Sequence, residues 1–277
     1  MHKLKNFYIK PDSVGQSALL EKSIFFEMPI SSVSPNPEIW SDTFKKNHAQ
    51  TLKTEINRYG FRSEEFKKDH DGLHVLFLGC SYTWGTGLFL DEVWSKKTYN
   101  KIKEVRDVSG FFNLAVPGDS IYSSITNAFK YFKTFGNPDV IFFNVQDITR
   151  FYAYSKEDKN FYRSNISDNK VLELLAYQYY YMLEQYCLSN NILLISFTWY
   201  LGHDVHILEN FKTFSNTKIN NVSDFVNDQK NNKSESLIAR DGKHLGSAYH
   251  DYWSCHAYKT YLDNYAGINV SELEENC

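Results

Sequence analysis

Between about residues 73 and 265, short unbroken apolar runs alternate with longer segments whose apolar positions recur every three or four residues. A strand that is apolar at every position is buried on both faces, so this alternation predicts a parallel sheet covered by helices on each side. The runs that predict strands are 74–78, 111–115, 140–143 and 192–197. Helical spacing predicts helices over about 91–105, from a cap at Asp119 or Ser120 to about 132, over 171–188 and over 248–264. Asn137-Pro138-Asp139 has turn chemistry and separates the second helix from the third strand.

Two stretches fall outside this rhythm. Residues 1–72 lack the alternation and read as an extension strapped around the domain, with Asn57-Arg58-Tyr59-Gly60-Phe61-Arg62 as its most distinctive piece. Residues 200–236 are polar, rich in asparagine and weakly periodic, and read as an insertion within an α/β domain that runs from 73 to 277. The polar stretch 156–170 reads as a connection, and no repeat or linker divides the chain further.

Composition narrows the function classes. With 42% hydrophobic and 23% charged residues the chain reads as globular, and a net charge of -3 gives no electrostatic reason to expect nucleic acid as a partner. The longest apolar runs, such as Ile192-Leu193-Leu194-Ile195, are far too short to span a bilayer, and Met1 to Asn6 is not followed by a signal-peptide core. The expectation is a cytoplasmic or particle-associated protein. Cys80, Cys187, Cys255 and Cys277 are widely spread without CxxC spacing, so free thiols are expected rather than a zinc site. His203 and His206 lack a clear third ligand, and neither a metal nor an organic cofactor is expected. The tyrosines 177, 179, 180 and 181 read as packing residues with wet hydroxyl tips.

Candidate chemistry appears where strands end. In open α/β sheets the loops at the carboxyl ends of the strands converge on one edge. Ser81 follows the first strand, Gly118 the second and Asn144 to Asp147 the third, while Asp241 and His244 precede the last helix. A serine hydroxyl is a weak nucleophile until a base takes its proton, and a carboxylate that holds the other imidazole nitrogen completes such a relay. The expected catalytic set is Ser81, His244 and Asp241. Oxyanion donors would be the Ser81 and Gly118 N–H groups with the side-chain amide of Gln146, or of Asn144 as the alternative. Asp147 and Arg150 pair locally or touch substrate. Cys80 reads as a small residue packing the turn.

These residues carry a resemblance. Gly79-Cys80-Ser81-Tyr82-Thr83 is similar to the first block of the GDSL or SGNH hydrolases, Asn113 to Gly118 resembles the second, and Asp241-Gly242-Lys243-His244 matches the DxxH of the last. The resemblance spans roughly 74–265. It implies a flavodoxin-like three-layer α/β/α sandwich around a central parallel sheet, and esterase, lipase or carbohydrate deacetylase activity on a small-molecule or glycan ester. Two positions depart from the pattern. Cys80 stands where that family usually has aspartate, and the third block, usually GxND, reads Asn144-Val145-Gln146-Asp147. The oxyanion asparagine then falls on Gln146. Tyr82, Trp84 and Trp199 would wall the substrate. The same relay also permits acyl transfer to an alcohol, and the altered third block motivates a non-catalytic binding or structural role as the competing expectation.

Overall fold

A computed structural model describes residues 24–28, 52–148, 150–155, 160–165, 169–198, 211, 213, 239 and 244–264. In chain order the elements are β1 (Ile24–Met28), β2 (Leu52–Ile56), β3 (Val75–Leu78), α1 (Ser81–Trp84), α2 (Trp94–Val105), β4 (Phe112–Asn113), α3 (Ile121–Phe135), β5 (Val140–Val145), β6 (Arg150–Ser155), β7 (Asn160–Asn165), α4 (Asn169–Ser189), β8 (Leu193–Thr198) and α5 (Ser247–Asn264).

The central sheet has the order β4-β3-β5-β8, and all its pairings are parallel. Leu76 faces Phe112, Val75 to Leu78 face Val140 to Phe143, and Val140 to Val145 face Leu193 to Thr198. Numbered within the sheet, this is the flavodoxin-like 2-1-3-4 arrangement. The chain leaves β3 toward one edge, returns and continues toward the other. The switch point therefore lies between the carboxyl ends of β3 and β5, where an α/β sheet opens its binding crevice.

Alternate side chains of each strand enter different cores. Leu76, Leu78, Ile141, Phe143 and Leu194 pack with α3 and α4, while Val75, Phe77, Val140, Phe142, Ile195 and Phe197 pack with α2 and α5. Both faces are dry, which is why these strands are apolar at every position. The three-layer α/β/α arrangement expected from sequence is the one observed.

Several boundaries differ from the pattern-based ones for local reasons. Residues Leu90–Glu92 form a 3₁₀ turn closed by the Glu92 carboxylate, which accepts the Phe89 N–H at 2.8 Å. Val93 is then extended, so α2 starts at Trp94 rather than near 91. The expected strand 111–115 is paired only at Phe112 and Asn113, and beyond them the Leu114 and Val116 N–H groups donate to the Phe77 and Gly79 carbonyls at 2.9 and 3.3 Å. Ser120 caps α3 by accepting the Ser123 N–H at 3.2 Å, and the helix runs on to Phe135 before Gly136 ends it at φ +94°. The connection after β5 contains an antiparallel hairpin, β6 with β7, that the pattern did not predict. The extension also carries sheet structure, since β1 and β2 pair antiparallel from Ile24↔Ile56 to Met28↔Leu52. Of the tyrosine cluster, Tyr180 is fully buried, and its hydroxyl meets Thr213 Oγ1 at 2.9 Å instead of water. Most of the 200–236 insertion lies outside the described residues.

Candidate active site

β3 ends in a turn that only glycine can open. A Cβ on Gly79 would lie 2.0 Å from Thr83 Oγ1 and 2.7 Å from Thr83 Cβ, so α1 folds back directly against the strand end. Cys80, buried to 1%, accepts the Thr83 and Trp84 N–H groups on its carbonyl at 3.0 and 2.8 Å. Ser81 then opens α1. Its own carbonyl takes the Gly85 and Thr86 N–H groups at 2.8 and 3.0 Å, and the residue is 6% exposed. Gly85 closes the turn at φ +82°, with its missing Cβ replaced by Val93, whose Cγ2 would stand 2.1 Å away. Ser81 therefore sits at the carboxyl end of a central strand, on a turn fixed from both sides.

The second segment is tied to the first. The Val116 N–H donates to the Gly79 carbonyl at 3.3 Å, and the Asp119 N–H returns to the Val116 carbonyl at 3.1 Å. Between them Gly118 adopts φ +77° and is partly exposed. The buried Asp119 carboxylate accepts from the Ser120 N–H and from Ser124 Oγ, both at 2.9 Å. Ser124 Oγ also lies 3.4 Å from the Gly79 carbonyl.

The third segment arrives on β5. Gln146 is buried, and its amide donates to Ser124 Oγ and, at 3.4 Å, to the Ser120 carbonyl. The amide thus points at the start of α3, and its oxygen has no partner among the described residues. Asn144 is fully buried, and neither its amide nitrogen nor its oxygen has a partner among them. Its carbonyl would lie 3.2 Å from a Cβ on Gly79, which places it at the same crevice. Asp147 and Arg150 approach to 3.9 Å, an ion pair within one turn of chain.

The fourth segment precedes α5. The His244 ring meets the Tyr82 ring edge-on at 5.3 Å between centroids, and Tyr82 also packs on Trp253 at 5.7 Å. His244 is therefore one ring contact away from the residue that follows Ser81. Its carbonyl accepts the Ala239 N–H at 2.8 Å. Asp241 and Trp199 lie outside the described residues, as do His203 and His206. Among the described residues no group of three histidines, cysteines or acidic residues is placed to hold a metal. Trp84, expected to wall the substrate, is 4% exposed and packs with Ile56 and Ala115, so its ring belongs to the interior.

Two residues that had no role at the site on sequence grounds support these segments. His250 Nδ1 accepts the Trp94 N–H at 3.0 Å, and the ring also bonds the Leu245 backbone, next to His244. Burial, with the charges of Lys97, His244 and Arg62, pushes its pKa down to about 3. A backbone N–H can only donate, so Nδ1 must stay unprotonated. Arg62, from the extension, donates to the carbonyls of Trp84 at 3.1 Å, Gly85 at 2.8 Å and Leu88 at 3.0 Å. Burial lowers its pKa to about 10, and Glu92 and Asp91 oppose that shift. The signal for His250 lay in the buried stripe of α5, with Tyr249, Trp253, Ala257 and Tyr261. Nothing periodic marks Arg62.

No family model matches the sequence, and no curated protein does. Among solved structures the chain is similar to the psychrotrophic esterase EstA from Pseudoalteromonas sp., in a structure inhibited by monoethylphosphonate. The identity is 14% and the TM-score 0.45, over 69% of this chain and 98% of that one. It is also similar to an acetyl xylan esterase, AlAXEase, at 16% identity and a TM-score of 0.41, over 68% of this chain and 99% of that one. Both likenesses are of fold.

Proposed function

We propose that this chain is a serine hydrolase that cleaves carboxylic esters, with Ser81 as nucleophile, His244 as general base and Asp241 as the group that orients the imidazole. The observation that carries this reading is the placement of Ser81. It stands on a glycine-opened turn at the carboxyl end of β3, beside the switch point, with His244 reaching the same turn through Tyr82.

In this reading the Ser81 hydroxyl attacks the ester carbonyl carbon while His244 takes its proton. The tetrahedral oxyanion rests on the Ser81 and Gly118 N–H groups, with Gln146 or Asn144 as third donor. Collapse expels the alcohol, which receives the proton from His244, and water then repeats the sequence to release the acid. A third donor from Gln146 requires its amide to leave Ser124 and Ser120 when substrate binds. Asn144 needs no such exchange, because its amide is unpartnered among the described residues. Tyr82, half-buried against His244, lines the substrate side, and an O-acetyl group on a carbohydrate fits the small-acyl version of this chemistry.

The test is hydrolysis of short p-nitrophenyl esters and acetylated sugars by the full chain and by Ser81→Ala. The expected outcome is turnover by the wild type, with a loss of at least about 10³-fold on substitution. Turnover that survives Ser81→Ala removes Ser81 from the mechanism.

A further inference from the structure

We infer that Arg62, the last residue of the Asn57-to-Arg62 piece in the N-terminal extension, is a positioning residue for the candidate nucleophile Ser81. The inference rests on the reading of Ser81 given above.

α1 is a single turn of four residues, and a helix this short is not stable by itself. Its helical bonds are few, from Trp84 N–H to the Cys80 carbonyl and from Gly85 N–H to the Ser81 carbonyl. The carbonyls at its far end face away from that ladder. Arg62 takes up two of them, those of Trp84 and Gly85, with one nitrogen, and the Leu88 carbonyl with the other. The guanidinium also lies 5.2 Å from the Trp84 ring centroid, over its face. A planar fork that bonds three carbonyls while stacking on an indole is specific to arginine.

The extension is itself held in register. Asn57 Oδ1 accepts the Tyr59 and Phe61 N–H groups at 3.1 Å, and Asn57 Nδ2 donates to the Glu64 carbonyl at 3.0 Å. Beyond Arg62, Ser63 Oγ donates to the Phe111 carbonyl at 3.0 Å and accepts the Asn113 N–H at 3.1 Å. The Glu64 N–H reaches the same Phe111 carbonyl at 3.1 Å. The piece is thus anchored on the strand that leads to Gly118, and Arg62 extends from that anchor to the turn that carries Ser81. One segment of the extension couples the two loops that would supply nucleophile and oxyanion donors. Its distinctive sequence follows: Asn57 folds the turn, Gly60 at φ +90° closes it, and Arg62 is what it delivers.

Misplacing a reacting group by about 1 Å can cost about 10²-fold in rate without any loss of substrate contacts. The test uses the full chain as wild type, Arg62→Lys, Arg62→Met and, as a control, Arg58→Met; Arg58 is an exposed arginine of the same piece, paired with Glu65. Two quantities are measured: kcat and KM on a p-nitrophenyl ester, and the second-order rate of inactivation by a fluorophosphonate, which reads Ser81 reactivity alone. The expected result is a fall in kcat of about tenfold for lysine and about 10²-fold for methionine. KM stays within twofold, inactivation slows in step, and Arg58→Met behaves as wild type. A folded Arg62→Lys protein whose kcat and inactivation rate both lie within twofold of wild type overturns the role. Should the methionine variant fail to fold, the lysine variant alone decides. A wild type that neither turns over nor reacts with the probe defeats the reading of Ser81 instead, and that result is distinct from a failure at Arg62.

Discussion

Lowering the pH from 6.5 to 5 is predicted to cost this fold about 3 kcal/mol through two buried histidines, before carboxylate protonation contributes. His74 and His250 are each pushed from an ordinary 6.5 down to about 3, chiefly by burial. Neighbouring positive or ionisable groups add to both shifts, His70 and Lys67 at His74, and Lys97, His244 and Arg62 at His250. The geometry explains why the neutral forms are kept. His74 Nδ1 meets the Asn137 carbonyl at 3.2 Å and Nε2 meets the Tyr131 hydroxyl at 2.8 Å, which one neutral tautomer satisfies as donor and acceptor. The His70 ring stacks on it at 3.5 Å. His250 Nδ1 must accept the Trp94 N–H.

Below pH 6.5 the unfolded chain takes up these protons and the folded chain refuses them. The stability is therefore whole above 6.5 and is lost as pH falls toward 3. Each histidine withdraws about 1.4 kcal/mol per pH unit within that window, and native stabilities are only about 5–15 kcal/mol. His256, also lowered by burial, adds in the same direction. The assay is urea unfolding at pH 7.5, 6.5, 5.8 and 5.0, followed by tryptophan fluorescence, for wild type and for His74→Gln. Wild type should lose at least about 3 kcal/mol from 6.5 to 5.0, and the variant about 1.5 kcal/mol less than wild type over the same range. A wild-type stability flat to within about 1 kcal/mol over that interval would mean that the folded chain does not hold these histidines neutral.

Other outcomes follow from the same geometry. Gly79→Ala should fold poorly or lose the Ser81 turn, since its methyl would overlap Thr83 at 2.0 Å; a variant with wild-type melting and turnover would contradict the close approach. Gln146→Ala should lower kcat by about 10²-fold with a small change in melting temperature if its amide moves to the oxyanion. Unaltered turnover would assign that donor to Asn144 or leave two donors, and Asn144→Ala separates those cases.

Much of the scaffold was legible because burial on both faces writes a plain pattern. Val75 to Leu78 and Val140 to Phe143 are apolar throughout, and both lie where that pattern predicted, with β5 running two residues further to Val145. The helix cap at Ser120 was legible from side-chain chemistry. The β6–β7 hairpin was not, because its aromatic runs, Phe151 to Tyr154 and Phe161-Tyr162, are short, lack strand alternation and flank the polar residues 155–160. Site residues at strand ends could be nominated from topology, since loops at the carboxyl ends must converge. The direction of the Gln146 amide, however, depends on Ser120 and Ser124 of α3. The burial of Trp84 depends on Ile56 and Arg62, more than twenty residues away. Long-range contacts of single side chains have no period, and that is why the partners of Arg62 and His250 could not be read from the sequence.

Whether Ser81 is an activated nucleophile can be read by covalent labelling. The full chain is incubated with a fluorophosphonate and digested, and the adduct is located by mass spectrometry. A single adduct is expected on the peptide that carries Ser81, at a rate that Ser81→Ala abolishes and His244→Ala slows by about 10³-fold or more. An unlabelled wild type, or an adduct that persists in Ser81→Ala, would contradict an activated Ser81.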